Sequence, residues 1–398
     1  MMELDWDPEV DAPATIAILG GGPVGIEAAI YARFLGYFVS IFEAGRVAHR
    51  MLDWHDRTLA VPVRECTTSL GHAAILAQNP DYVRRSPDGF YTGRTYANEY
   101  LLPLAKTDLL FDDIHFLSPV SDVSRMQSFA TDQKTLQERC NDEFRIVVEG
   151  RHRGTWISRA DVVLDCRGSH QRLAGMGPGG GAAIGEHELQ GSFLRFTPLD
   201  RKFEPQSVRG KRTCLVGNSY RAAQFANEFA QMFAGNEDTQ LIWVVRPDSG
   251  QFIDSVATTL RSLRFDPPIN VILQEALGVE QIKREAEAVY SLSLLQGDDT
   301  VVSIQCDAVC ALTEGRAKSV SLELDEHPLC DGGTASFVTK EPGFYVLRAA
   351  GIEQGAGAGL ADAFCRIREL FALMAGRQDL DLYKIIEQQD TANKPARP

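Results

Sequence analysis

The first strongly patterned stretch opens with a short apolar run, Ile16 to Leu19, of the length of a buried parallel strand. A glycine turn, Gly20-Gly21-Gly22-Pro23-Val24-Gly25, follows at once. The pattern then predicts a helix from about Pro23 to Leu35 and a second apolar strand from Phe38 to Phe42, which ends in Glu43. The same order recurs later in the chain. An apolar strand, Thr213 to Val216, meets Gly217-x-Ser219-x-x-Ala222. A helix with Ala223, Ala226, Phe229 and Ala230 on its buried side follows, and then a strand from Leu241 to Val245 that ends in Arg246.

Between these two units the pattern is less regular. Residues from about Met51 to Gly71 read as irregular. Gly93 to Lys106 predicts a helix with Tyr96, Tyr100, Leu101 and Leu104 on one face, ended or kinked by Pro103. Ile114 to Leu117 reads as a strand, residues 124–143 as a polar surface connection, and Phe144 to Glu149 with Thr155 to Ser158 as an antiparallel pair. Asp161 to Gly168 is a strand running into a glycine, and the glycine-rich run Gly175 to Gly185 is a loop that could act as a lid. Pro267 to Leu273 and Thr300 to Leu312 supply the remaining strands of the second unit. Phe344 to Leu347 is a returning strand, followed by a glycine-laced turn, Gly355 to Gly359. A helix then carries Leu360, Ala363, Phe364, Ile367, Leu370, Phe371 and Met374 at three- and four-residue steps, so one face is buried. Residues 379–384 and a polar tail finish the chain. Strands alternating with helices around two glycine turns predict an α/β fold: one Rossmann-like domain with a second inserted into it.

The glycines have separate tasks. Gly20 allows the tight turn out of the strand, Gly22 lets backbone approach a pyrophosphate, and Gly25 lets helix and strand pack closely. The helix N-terminus offers N–H groups and a positive dipole end to phosphates. Glu43 stands eighteen residues after Gly25, where a carboxylate can accept hydrogen bonds from both ribose hydroxyls. In the second turn two of the three glycines have become Ser219 and Ala222, so the signal for a nucleotide is weaker there. An acid after the following strand favours the free ribose of NAD, whereas Arg246 can accept the extra phosphate of NADP. A surface arginine capping the strand is the plainer reading of Arg246.

Composition narrows the alternatives. With 44% apolar and 24% charged residues over 398 positions, the chain is an ordinary globular protein of two or three domains. No run of eighteen apolar residues predicts a membrane span, and the acidic first twelve residues carry no signal peptide. A formal net charge of −14 argues against nucleic acid as a partner. The eight cysteines are scattered, with no Cys-x-x-Cys, and the default is reduced thiols in the cytoplasm. Cys306 and Cys310 fall on one predicted strand, Ile304 to Leu312, too far apart along it for a disulfide. The histidines do not cluster at metal-ligand spacings, and no metal is expected.

The stretch 15–43 resembles the FAD fingerprint of two-dinucleotide-binding-domain flavoproteins, which adds a small residue after the last glycine, here Ala29, and a glycine before the second strand, here Gly36. Asp161 to Gly168 resembles the strand that ends in Ala-Thr-Gly in those proteins, with Cys166-Arg167-Gly168 in its place. The resemblance to the thioredoxin-reductase-like and flavin-monooxygenase-like superfamily covers nearly the whole chain. It implies an FAD domain at residues 1–205 and 335–398 and an NAD(P) domain at 206–334. It further implies FAD and NADPH as cofactors, with FAD contacts at Gly20, Gly22, Pro23, Val24, Gly25, Glu43, Ala44, Arg46 and Gly168, and nicotinamide dinucleotide contacts at Gly217, Ser219 and Arg246. Relatives end the returning strand in Gly-Asp; here Ala349 or Ala350 stands at that point, and Glu353 is the candidate substitute.

The implied activity is FAD-dependent and NAD(P)H-linked oxidoreduction, by a reductase or monooxygenase acting on a small organic molecule. No catalytic residue is assigned. Cys66 lies where disulfide-reducing relatives carry a cysteine pair, but it has no partner nearby in sequence, so a packed thiol is the preferred reading; His55 is likewise read as a packed or surface residue. The Phe-x-Gly-x-x-x-His signature of Baeyer–Villiger and related monooxygenases is absent. The alternative is an FAD-binding protein with a degraded nicotinamide site and little or no turnover, a sensor or partner-binding protein. It is motivated by Arg167, by Ser219 with Ala222, and by the missing acid near Ala349. The sequence does not reveal the oligomeric state, and a homodimer is left open.

Overall fold

The computed structural model describes residues 4–54, 56, 58–129, 132–168, 172–189, 205–247, 254–266, 268–286, 289–313, 315–316, 337–349 and 359–392. In chain order the elements that frame the argument begin with β1 (Thr15–Leu19), α1 (Pro23–Phe34), β2 (Phe38–Phe42), α2 (Ser69–Gln78), β3 (Ile114–His115), β4 (Val120–Arg125), β5 (Phe144–Gly150), β6 (Gly154–Ala160) and β7 (Val162–Asp165). Next come β8 (Arg212–Val216), α3 (Tyr220–Met232), β9 (Gln240–Val245), α4 (Asp254–Phe265), β10 (Val271–Glu275), β11 (Gly278–Ala286), β12 (Val289–Leu295), β13 (Val301–Cys306) and β14 (Ala308–Ala311). The last are β15 (Phe344–Val346), α5 (Leu360–Met374) and α6 (Leu382–Ala392). They divide between two compact units, one drawn from Met1–Gly168, Lys318–Ile352 and Ala356–Pro398, the other from Ser169–Ala317 and Glu353–Gly355.

The first unit is built on a parallel sheet in the order β15-β7-β1-β2-β3. One face packs on the antiparallel sheet β4-β5-β6, through Ala17, Leu19, Phe42, Val123, Phe144, Ile146, Val148 and Phe344. The other face carries α1, which also packs against α5 and α2, so it is buried on every side from Val24 to Ala32. Tyr31 of α1 stacks on Phe371 of α5 at 5.1 Å. The seven α5 positions read from the sequence are its buried residues, and each large apolar side chain taken from water there adds about 1.5–3 kcal/mol.

The second unit repeats the plan. Its parallel sheet runs β10-β9-β8-β14. One face takes α3 and α4 around Trp243, Phe229 and Leu260, and the other takes the antiparallel sheet β11-β12-β13 through Val279, Leu292 and Cys214. The α/β architecture of two Rossmann-like units is therefore as the pattern predicts.

Several local expectations change. The stretch read as irregular holds short helices at His49–Asp53 and Val63–Cys66, a strand at Thr58–Pro62, and then α2. Thr67-Thr68-Ser69 looked like loop chemistry, but Thr68 is the N-cap of α2 and accepts from the Gly71 N–H. The polar segment 124–143 is not a mere surface connection: Arg125 and Arg139 are buried, both on Glu341, at 2.7 Å each. Arg125 also donates to the carbonyls of Asp142 and Pro342. Pro103 neither ends nor sharply breaks its helix. A π-helical segment, Ala97–Leu101, precedes it, and the Leu102 N–H reaches back to Ala97 O. That wider turn accommodates a residue with no N–H to give.

The strand Ile114 to Leu117 stops at His115, because Leu117 takes a left-handed φ of 49°. The strand read as Ile304 to Leu312 is two strands in two sheets. They part at Asp307, which exchanges hydrogen bonds with Arg212. Cys306 therefore faces Cys214 in one core and Cys310 lies in the other. The polar tail includes α6, whose half-buried Tyr383 has its hydroxyl enclosed.

Candidate functional site

Register places the carboxyl ends of the first sheet's strands in one row. Leu19 pairs with Phe42 and Asp165, and Asp165 with Val346. The chain leaves β1 for β2 on one side and comes back, after β6, as β7 on the other side of β1, and the crevice above such a reversal is where open α/β sheets bind ligands. Gly20, Glu43, Cys166-Arg167-Gly168 and Leu347-Arg348 all emerge on that row.

The glycine turn there is a shaped cradle. Gly20 has φ +105°, and a Cβ on it would lie 3.1 Å from the Cys166 carbonyl oxygen and Arg167 Cα. A Cβ on Gly25 would lie 1.9 Å from the Gly20 carbonyl oxygen, so only glycine fits where α1 crosses the turn. At Gly22 the same added atom would meet nothing within 4 Å among the described residues. Gly22 is the N-cap of α1, no side chain caps the helix, and Pro23 opens it. The space above Gly22 and the uncapped helix end fit a phosphate, which needs close backbone approach and N–H donors. Val24 is buried beneath this end.

Glu43 is fixed beside the cradle. Its Oε2 accepts from the Gly21 N–H and its Oε1 from the Gly45 N–H, each at 2.7 Å. Each carboxylate oxygen keeps a lone pair, so the group can still accept from a ribose. Ala44 and Arg46 are exposed on the turn that follows. Gly168 has φ +70°, and a Cβ on it would meet none of the described residues within 4 Å. Glu353 lies outside the described residues, as do Ala350 and His55.

The second turn is arranged differently. Gly217 has φ +136°, and a Cβ there would strike the Leu312 carbonyl oxygen at 2.2 Å. Ser219 caps α3: its Oγ accepts from the Ala222 N–H and donates to Leu312 O at 2.6 Å. The Arg246 N–H donates to Asn218 Oδ1 at 3.0 Å, and Arg246 itself is exposed. A cavity of about 140 Å³ lies here, lined by Gly175 to Gly177, Gly217, Asn218 and Arg246 among others. The glycine-rich loop thus forms one wall of a pocket at the second turn.

Two groups that the sequence pattern did not single out belong to the first unit's site region. Asp165 is fully buried at the end of β7. Arg167 forks onto it, with Nε on Oδ1 at 2.8 Å, and Arg348 donates to Oδ2 at 2.7 Å. Burial alone would raise this carboxyl, but the hydrogen bonds and charges of Arg167, joined by Arg348, outweigh it and hold it below the usual carboxylate range. Arg167, the departure from the Ala-Thr-Gly pattern, thus has a partner two residues before it.

The second is Glu27, an acid in the middle of the buried α1. Thr68 Oγ1 donates to it at 2.8 Å and the Tyr100 hydroxyl at 3.3 Å. The Tyr383 hydroxyl faces the same carboxyl without a well-aligned hydrogen bond. Burial pushes Glu27 up from 4.5 to about 7, against the lowering effect of these hydroxyls. The one available signal was a single acid inside the run Ile26 to Ala32.

Cys66 is fully buried, and burial pushes its thiol up to about 12, which removes the thiolate that redox exchange needs. Among the described residues, no group of three or more His, Cys, Asp or Glu is placed to hold a metal ion. Among them also, no helix is long and apolar enough to cross a membrane.

No family model and no curated protein sequence matches the chain. Solved structures do. The desferrioxamine biosynthetic pathway cadaverine monooxygenase DfoA from Erwinia amylovora, bound to FAD, aligns over 98% of this chain and 100% of its own, with a TM-score of 0.57 and 13% identity. The bacillithiol disulfide reductase Bdr from Bacillus cereus aligns over 92% and 100%, with a TM-score of 0.59 and 14% identity. The ornithine N-hydroxylase of Kutzneria sp. 744, solved with FADred, NADP+ and L-orn, aligns over 95% and 100%, with a TM-score of 0.55 and 13% identity. The chain has the fold that these three structures share. At such identities the likeness speaks for the fold, and function rests on the residues themselves.

Proposed function

We propose that this protein is an FAD-dependent, NAD(P)H-linked oxidoreductase, a reductase or monooxygenase acting on a small organic molecule. The observation that carries the reading is the open cradle at Gly22, bounded by glycines that tolerate no side chain and flanked by the fixed carboxylate of Glu43. In this reading residues 1–205 and 335–398 hold FAD, and residues 206–334 hold the nicotinamide dinucleotide. Gly20, Gly22, Pro23, Val24 and Gly25 receive the pyrophosphate. Glu43 accepts from the ribose hydroxyls, Ala44 and Arg46 border the adenosine, and Gly168 allows close backbone approach; Glu353 takes the place of the missing aspartate. Gly217, Ser219 and Arg246 receive NADPH, with Arg246 toward its extra phosphate.

Bound flavin would supply two-electron transfer between the nicotinamide and oxygen or an organic acceptor. The protein's part is to bind, orient and exclude water. The cadaverine monooxygenase and ornithine N-hydroxylase among the similar structures support the oxidoreductase class without choosing a substrate. Disulfide reduction is disfavoured by the buried, protonated thiol of Cys66. A cytoplasmic location completes the reading. Anaerobic mixing tests it: the purified protein should be yellow and NADPH should bleach it within seconds. Colourless protein that takes up no FAD would refute the proposal.

A second reading has its own support. Ser219 closes the N-terminus of α3 with its own hydroxyl, which occupies a donor that a phosphate would use. The protein would then bind FAD but turn over little or not at all. Yellow protein that NADPH leaves oxidised would favour it.

A further inference from the structure

A second opening lies at the other end of the first sheet. It is bordered by Pro13 and Ala14 before β1, by Asp161 and Val162 where β7 begins, and by Gly343 and Tyr345 around β15. The glycine cradle stands at the carboxyl ends of the same strands. β1 is five residues long, so roughly 15 Å separates the two places. The cavity holds about 420 Å³, within the range that takes a small organic molecule.

Its charge is one-sided. Asp7, Glu9 and Asp11 before β1, Asp142 and Glu143 before β5, and Asp161 line it, and no lysine, arginine or histidine among the described residues does. One of these acids has a basic partner among those residues: Glu143, 3.7 Å from Arg159. Asp142 accepts from the Gln127 N–H at 3.0 Å and Asp161 from the Thr15 N–H at 2.8 Å. Such amides fix a carboxylate in place without neutralising it. The other acids are exposed, where salt and water screen their repulsion, but Asp142 is only 9% exposed and is screened less.

Acids alone would make a solvated face; Tyr345 makes a site. The residue is 1% exposed in the middle of β15, yet it lines the cavity. Burial keeps its hydroxyl protonated, and the Cys140 thiol, Arg125 and the Tyr37 hydroxyl also act on it. Cys140 and Tyr37 donate to the carbonyls of Asp7 and Val10, both in the cavity wall. The Tyr345 hydroxyl thus stands at that wall, and no described residue gives it a hydrogen bond. A buried hydroxyl left so is costly unless something in the cavity meets it. Its neutral oxygen can accept from an ammonium group.

Among the described residues no three acids stand close enough to hold a metal ion. The negative charge is spread along the walls, and a chain with ammonium groups set along it matches that spread. Its methylenes would lie on Val10, Pro13 and Val162. We infer that this cavity binds a linear polyamine, whose ammonium groups pair with Asp142 and the outer acids and donate to the Tyr345 hydroxyl oxygen. The site is separate from the cradle and does not depend on the flavin reading.

The test titrates the full chain, as purified, with spermidine by calorimetry at roughly 0.15 M salt. Wild type should bind one equivalent, and putrescine, with one ammonium group fewer, should bind more weakly. Asp142→Asn and Tyr345→Phe should each weaken spermidine about tenfold. Glu237→Gln with Asp238→Asn, which removes two exposed charges of the second unit, should change it less than about twofold. An equal loss in that pair would mean diffuse attraction to an acidic protein and overturns the inference, as does wild type that shows no saturable binding. Magnesium that displaces spermidine at equal concentration overturns it too. Should Asp142→Asn not fold, Tyr345→Phe decides alone: it removes no charge, so a weakened complex supports the site and an unchanged one overturns it.

Discussion

The two glycine turns are built on the same strand–turn–helix plan and end up in opposite states. At the first, Gly22 caps α1 with no side chain and faces space that none of the described residues fills. At the second, Ser219 occupies the equivalent position, caps α3 and bonds to Leu312 O. The third position differs too. Gly25 has no room for a Cβ, whereas Ala222 carries one in a fully buried site. Two residues on, α1 holds the buried Glu27, while α3 holds Gln224, half-exposed and bonded to Glu228. A glycine turn is therefore not a ligand site by its outline alone. Whether the helix end is left for a ligand or closed by the protein is decided by one side chain.

The largest expected effect breaks the first turn without breaking the fold. Gly22→Val places its side chain where none of the described residues stands within 4 Å, and a poorer N-cap costs about 1 kcal/mol at most. The variant should melt close to wild type and retain no FAD. Flavin content equal to wild type after purification would show that the cradle is not the binding site.

Gly25→Ala acts on the fold instead. Its Cβ would sit 1.9 Å from backbone oxygen, and α1 must move off β1, at a cost of about 3 kcal/mol or more. The reciprocal change, Ala222→Gly, removes a tolerated methyl from α3 and should cost about 1 kcal/mol. Denaturant unfolding of both variants checks the asymmetry; equal costs would mean that the two turns are packed alike.

This asymmetry was only partly visible in the sequence. The glycine spacing and Glu43 placed the first turn correctly, and the three- and four-residue steps of Leu360 to Met374 gave the buried face of α5 without error. The periodic signal succeeds there because α5 has a wet side. It gives no help for Glu27, since α1 is apolar all round and a lone acid in it has no pattern to violate. Arg125 and Arg139 looked like surface charges because their partner, Glu341, is some two hundred residues away in sequence. Arg348 and Asp165 escaped for the same reason. Thr68 was read as loop because an N-cap and a turn use the same residue types. Asp307 hid the break between β13 and β14 because one polar residue in an apolar run looks like alternation.

Glu27 sharpens the comparison through pH. The folded protein holds its proton to about 7, while the unfolded chain releases it near 4.5. Between those values the folded state binds the extra proton, so stability is greatest below 4.5 and falls as pH rises to about 7, by about 3 kcal/mol from this group. Glu27→Gln, which gives α1 the residue that α3 carries, removes the effect. Urea melts at pH 5 and pH 8 should show the variant gaining on wild type by nearly that amount at the higher pH. A wild-type-minus-variant difference that does not change with pH would show that Glu27 is ionised throughout.

The smallest effect tests the second turn from the other side. Ser219→Ala loses the cap bond from Ala222 N–H and the donation to Leu312 O, at about 1 kcal/mol. If the hydroxyl only closes the helix, the uncapped N-terminus of α3 should then resemble that of α1, and NADPH should bind at least as well as to wild type. If the hydroxyl instead contacts a phosphate, NADPH affinity should fall by about tenfold while the melt moves little. Titration of both proteins with NADPH separates the two, and with them the active oxidoreductase from the protein that binds FAD without turnover: a Ser219 that serves the nucleotide argues for the first, and one that serves only α3 argues for the second.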